Sequence, residues 1–186
     1  MFYEILTVMC GLWIVVECKH IKGIQIENQG DEKLWVEMTD EEGFFLPSKQ
    51  TASIVVEEYW SGRIRAQSAD CKSIPCNYTS SFAVMKFQGE GNYDQYYISL
   101  IDGFNWPIKI QPTSSSHSCR PAACQTNVNH HCSATHQVKN DVGVVVACKS
   151  SPELFQKLCP QAIAREADIV SRAQACKSET YRVVIG

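Results

Sequence analysis

The sequence predicts a mostly β fold, an antiparallel β-sandwich followed by a small disulfide-rich lobe with one short helix. Three features carry that expectation. Short apolar runs with period-two alternation, separated by Gly, Asn and Asp, fill residues 19–112. Cysteines crowd the other half, with six of them from Cys119 onward. An apolar leader precedes both, so the chain reads as an exported protein in which bridges do part of the work of a core.

The leader is residues 1–18. Its uncharged run, 5–16, is shorter than the roughly 20 apolar residues that span a bilayer and suits the core of a signal peptide. Val16 and Cys18 are small enough to flank a cleavage site before Lys19. Ile21, Ile24 and Ile26 then open a first strand, and Leu34, Val36 and Met38 alternate with charged neighbours in a second. Strands over 52–59 and 63–67 are hinged by Ser61-Gly62, and further runs cover 82–87, 95–101 and 108–110. Gly30-Asp31, Gly89-Glu90-Gly91-Asn92 and Asp102-Gly103 supply turns.

After Pro112 comes a hydroxyl-rich loop, 113–118. A helix is expected where Ser150 or Ser151 caps, Pro152 takes the first position and Glu153 completes a capping box, with Leu154, Phe155 and Leu158 as its apolar face. Residues 181–186 form a closing strand. The organisation is therefore a signal peptide, 1–18, and one domain, 19–186, made of a sandwich (19–112), a disulfide-rich lobe (113–180) and that strand.

Charge excludes some partners. The chain has 17 basic and 20 acidic residues; without Glu4 and Glu17 of the leader the net charge is −1. No Lys/Arg run interleaves with aromatics, so a nucleic-acid partner is not expected. No second apolar span follows the leader, so neither is a membrane span. A monomer without cofactor is the expectation.

Cys10 and Cys18 fall in the leader, leaving Cys71, Cys76, Cys119, Cys124, Cys132, Cys148, Cys159 and Cys176. An even number in an exported chain reads as bridges, whose connectivity the sequence does not choose. In a reducing compartment Cys71-x4-Cys76 and Cys119-x4-Cys124, or His130, His131, Cys132 and His136, would suggest zinc. Oxidising export consumes thiolates, so no metal is expected. Asn77-Tyr78-Thr79 is an N-glycosylation acceptor directly after Cys76.

The stretch Tyr97-Ile98-Ser99-Leu100-Ile101-Asp102-Gly103-Phe104-Asn105-Trp106-Pro107 resembles the thaumatin-like proteins. The resemblance continues in order through Cys119-Arg120, Cys124, Cys132, Val145-Val146-Ala147-Cys148, Phe155-Gln156-Lys157-Leu158-Cys159-Pro160, Cys176 and Tyr181-Arg182-Val183-Val184. It implies a small, shortened member of that family, of the pathogenesis-related group 5 type. It also implies the pairs Cys71–Cys76, Cys119–Cys176, Cys124–Cys159 and Cys132–Cys148. Asn28-Gln29 stands where the family's first cysteine would fall, and 77–81 replaces a glycine-and-cysteine loop.

Glucan-binding members of that family carry one Arg, one Glu and three Asp in a cleft between lobes. Here the resemblance keeps two of them, Asp102 and Asp168, and puts Gln67 at the Arg position, Val84 at the Glu and Tyr97 at an Asp. Each aspartate also has a plain structural reading, Asp102 in a tight Asp-Gly turn and Asp168 as a solvated charge. Tyr93, Tyr96 and Tyr97 are strand and core aromatics by default, and Trp106 is the expected sugar-stacking ring at the cleft rim.

The implied function is that of a secreted, defence-type protein binding cell-wall polysaccharide of the β-1,3-glucan class without catalysis. Two alternatives stand beside it: a weak endo-β-1,3-glucanase using Asp102 and Asp168, and an inhibitor of a foreign glycoside hydrolase such as a xylanase, using the polar loop 130–139.

Overall fold

Alternation places the strands. In β1 (Ile21–Asn28) every second residue, Lys22, Ile24, Ile26 and Asn28, turns inward and is buried. The same rhythm runs through β2 (Leu34–Met38), where Leu34, Val36 and Met38 are buried between half-exposed Trp35 and Glu37. A computed structural model describes residues 21–69, 79–113 and 119–186, and all that follows concerns those residues. Cys71, Cys76 and Asn77, expected to form a bridge and a glycan site, lie outside them.

The remaining strands are β3 (Phe44–Leu46), β4 (Thr51–Glu57), β5 (Ser61–Ser68), β6 (Phe82–Lys86), β7 (Asp94–Ser99), β8 (Ile108–Pro112), β9 (Ala122–Cys124), β10 (Gln137–Lys139), β11 (Val145–Cys148), β12 (Gln174–Cys176) and β13 (Thr180–Ile185). They make a five-stranded sheet in the order β4-β1-β13-β8-β9 and a six-stranded sheet in the order β12-β7-β6-β5-β2-β3; β10 and β11 form a separate hairpin. The two large sheets face each other across one core. Ile24, Ile26, Tyr181 and Val183 from one sheet cluster with Val36, Ile64, Met85, Tyr96 and Ile98 from the other.

The closing strand is more central than a terminal strand need be. β13 lies between β1 and β8, parallel to β1 and antiparallel to β8. It is the one parallel pairing among the described strands of the large sheets.

The second lobe holds two short helices where one is expected, α1 (Pro152–Leu158) and α2 (Ile169–Arg172). Four residues are too few for an apolar stripe to show in sequence. Ser151 does precede Pro152 at the start of α1, but no side-chain cap bond forms. Counting from Ser151, Glu153 is one position short of a capping box, and its Oε1 instead accepts from Arg165 Nη2 at 2.6 Å.

Three disulfides tie the lobe together: Cys119–Cys176, Cys124–Cys159 and Cys132–Cys148. These are three of the pairs implied by the family resemblance. Backbone contacts then dock the lobe onto the sandwich. Ile163 N donates to Ile98 O and Ile163 O accepts from Leu100 N, both at 2.8 Å, and Phe104 exchanges two backbone bonds with Cys148 at 2.9 and 2.7 Å.

Candidate functional site

The ladder of the six-stranded sheet decides which side chains meet at the cleft. Arg63 on β5 is opposite Val84 on β6, and Val84 is opposite Tyr97 on β7. Directly opposite residues share a face, so these three make one row. Phe82 and Ser99 form the next row on that face. Beyond β7 the chain turns, with Gly103 N donating to Leu100 O at 3.1 Å, and the turn lifts Ile101 and Asp102 beside that row. The docking of Ile163 on β7 carries Glu166 and Ile169 across from the second lobe. Together these nine residues line a cleft of about 370 Å³.

The cleft is mixed in chemistry. Phe82, Val84, Tyr97, Ile101 and Ile169 give it apolar and aromatic walls, while Arg63, Asp102, Ser99 and Glu166 supply polar groups. Arg63 Nη1 lies 3.8 Å from Asp102 Oδ2, with both side chains well exposed, and the Arg63 guanidinium carbon sits 4.9 Å from the centroid of the Phe82 ring. A surface pair of this kind contributes about 0–1 kcal/mol to stability, so its value lies in presenting donors and acceptors. Burial pushes the Tyr97 phenol above its ordinary range, while the nearby Arg63 charge pulls the other way. Tyr97 is therefore a neutral hydroxyl on an aromatic ring at ordinary pH.

Two expected residues, Asp102 and Tyr97, are in the cleft, and Val84 is with them. Three are placed elsewhere. Gln67 is on the same face as Arg63 but four residues further along β5, about 14 Å away; it is buried and pairs with Trp35 of β2. The arginine of the cleft is Arg63. Asp168 is outside the lining, and its Oδ2 accepts from Gln156 Nε2 at 3.0 Å; the second-lobe carboxylate in the cleft is Glu166. Trp106 is half-buried against the core rather than at the rim. Asn105 fixes it there: Asn105 Oδ1 accepts from Ser81 N and Trp106 N, and its Nδ2 donates to Ala66 O at 2.7 Å.

Arg63, Phe82 and Glu166 escape sequence reasoning because strand pairing, not spacing along the chain, brings them together. Period two alone puts Arg63, Arg65 and Gln67 on one face without saying which of them meets Val84. Elsewhere, Ser133 Oγ and Thr135 Oγ1 contact His136 Nδ1 at 2.8 and 3.1 Å. No group of three or more His, Cys, Asp or Glu side chains is gathered to hold a metal among the described residues. None of the described helices is long and apolar enough to cross a membrane.

Comparison with known proteins gives a consistent picture. A sequence profile described as Thaumatin family matches residues 22–182. The thaumatin-like protein 1a of Malus domestica is 29% identical over 194 residues, covering 79% of this chain and 78% of the relative. A glucan endo-1,3-beta-glucosidase of Prunus avium is 32% identical over 130 residues, covering 59% of this chain and 53% of the relative. Among solved structures, the protein elicitor MoHrip2 from Magnaporthe oryzae superposes with a TM-score of 0.51 at 14% identity, covering 88% of this chain and 98% of that one. That last similarity is one of fold.

Proposed function

Given that this chain belongs to the thaumatin family, we propose that its interlobe cleft binds a cell-wall polysaccharide of the β-1,3-glucan class without cleaving it, in an extracellular, defence-type role. The lining carries this reading. A sugar ring presents a C–H face and a rim of hydroxyls, and a wall of Tyr97, Phe82 and Ile169 edged by Arg63, Asp102 and Ser99 offers a matching apolar surface and hydrogen-bonding groups. The three bridges fit an oxidising, extracellular location.

Cleavage asks for more than binding does. Hydrolysis needs two carboxyl groups facing the bond, roughly 5–5.5 Å apart for retention or 6.5–9.5 Å for inversion, one of them holding its proton. Burial or a neighbouring carboxylate keeps such a proton on. Val84 and Tyr97 bring no charge to the row where the family resemblance implies two carboxylates.

A second reading, a weak endo-β-1,3-glucanase, draws on Asp102 and Glu166 lining one cleft and on the activity in the name of the Prunus avium relative. One experiment separates the two. The protein is mixed with insoluble β-1,3-glucan, chitin, cellulose and xylan, and protein in the pellet and reducing sugar in the supernatant are measured. Selective pelleting on glucan with no sugar released is expected. Sugar release would make the protein an enzyme, and pelleting on none of the four would overturn both readings.

A further inference from the structure

The face that forms the cleft floor does not end at Arg63. Two residues along β5, Arg65 is opposite Glu37 of β2, and two further, Gln67 is opposite Trp35, which is opposite Phe45 of β3. By the ladder, Tyr97, Val84, Arg63, Arg65, Glu37, Trp35 and Phe45 all project from one side of the sheet. From Tyr97 to Phe45 the path is about 19 Å across the strands and about 14 Å along them.

At its far end stand two rings that the core does not use. Trp35 and Phe45 meet edge to face, with centroids 4.8 Å apart, and neither belongs to the central apolar cluster. Phe45 is 55% exposed. The pair is held in place. Lys33 Nζ lies 4.5 Å from the Phe45 centroid, and Trp35 Nε1 donates to Glu37 Oε1 at 3.4 Å. The backbone of Gly43 lies so close to the indole that a Cβ there would come within 2.5 Å of Trp35 Cζ2. Between the rings and the cleft, Arg65 Nε donates to Glu37 Oε2.

We infer that Trp35 and Phe45 form a second sugar-binding station on the same polysaccharide track as the cleft, so that a long β-glucan chain is held at both ends. This rests on the glucan-binding reading of the cleft. Stations of aromatic surface separated by a hydrogen-bonding pair suit an extended chain whose rings alternate between stacking and hydroxyl contact. A protein partner fits less well. Two aromatic side chains offer at most about 300–500 Å² even if fully buried, against about 800 Å² per partner in a stable interface. The charged groups Lys33, Glu37 and Arg65 flanking the rings extend no apolar patch.

The test is a calorimetric titration of the whole protein with laminaribiose, too short to touch the cleft and the ring pair at once, and with laminarin fractions long enough to span about 25 Å. It compares wild type with Phe45→Ala and with Trp35→Phe, a gentler change that keeps a ring against Gly43. Circular dichroism verifies folding of each. The expected result is that Phe45→Ala weakens the long chain about five- to tenfold and leaves laminaribiose unchanged, with Trp35→Phe changing the long-chain affinity in the same direction. Equal affinity of wild type and Phe45→Ala for the long chain would overturn the second station while leaving the cleft intact, and would return the exposed ring to some other partner. Absence of any glucan binding by the wild type would overturn the cleft and the station together.

Discussion

Lys22 Nζ lies 2.9 Å from Asp94 Oδ2, and the pair is buried between the two sheets of the sandwich. Lys22 enters from β1 and Asp94 from β7, so the bond fastens one sheet to the other. Neither charge relies on the other alone. Lys22 also donates to Ser178 O at 2.7 Å. Asp94 accepts from the Tyr181 hydroxyl at 2.6 Å, from Gln88 N at 3.1 Å and from Ser178 N at 3.3 Å. Removing one partner leaves an uncompensated buried charge, at a typical cost of about 3–5 kcal/mol. Lys22→Met and Asp94→Asn are each expected to lower the urea unfolding free energy by an amount near the bottom of that range. The Lys22→Met/Asp94→Asn double variant should lose less than the sum of the two, which a double-mutant cycle measures.

The same cluster predicts alkaline sensitivity. Burial, with the Asp94 charge added, pushes the Tyr96 hydroxyl up to about 12 from its ordinary 10.0. Burial and the bond to Asp94 raise Tyr181 as well. Above pH 10 the unfolded chain gives up tyrosine protons that the folded chain keeps, so it binds fewer protons and stability falls as pH rises. The contribution is complete below about pH 10 and is lost as pH climbs towards 12. The melting temperature should therefore drop across this window, and the loss should shrink in Tyr96→Phe. A flat melting profile to pH 12 would remove the argument.

The bridges rank by the length of chain they close. Cys119–Cys176 spans 57 residues, Cys124–Cys159 35 and Cys132–Cys148 16. Loop-closure entropy gives about 4 kcal/mol for the first two and about 3 kcal/mol for the last. Paired Cys→Ala variants should follow that order in guanidinium unfolding, with the Cys132/Cys148 variant the most stable of the three.

Gly103 is the backbone pivot beside the cleft. Its φ of +115° is a glycine conformation, and an added Cβ would lie 2.5 Å from Thr79 Cγ2 and 2.7 Å from the Cys148 carbonyl. Gly103→Ala should cost about 2 kcal/mol or more and shift Asp102 with it, so both thermal stability and glucan affinity are expected to fall.

How much of this is legible in the sequence depends on length and pairing. Strands of five to eight residues, such as β1, β2 and β13, show their alternation openly. β3, β9 and β12 have three residues each, too few to display a period. The cleft is half legible. Asp102 and Tyr97 follow from the family resemblance, and the structure puts both in the lining. Gln67 is the residue expected at the arginine position, while Arg63 is the one in the lining; residues four apart on a strand share a face and only the partner strand tells them apart. Trp106 is misplaced for another reason: the buried Asn105 amide, bonded to three backbone groups, settles where that segment sits. Asp168 loses its expected place to Glu166 because the short turn at Glu166–Asp168 points residues two apart in different directions.

The central claim is that the mixed wall of the cleft holds a β-1,3-glucan. The most direct measurement is the affinity of the protein for soluble laminari-oligosaccharide by calorimetry, in wild type, Tyr97→Ala, Arg63→Ala and Asp102→Asn. The account predicts measurable binding by wild type, at least tenfold weaker in Tyr97→Ala, a loss of about 1.4 kcal/mol, with smaller losses in the two charge variants. Binding that survives all three substitutions unchanged would contradict it, because the sugar would then sit somewhere other than this cleft.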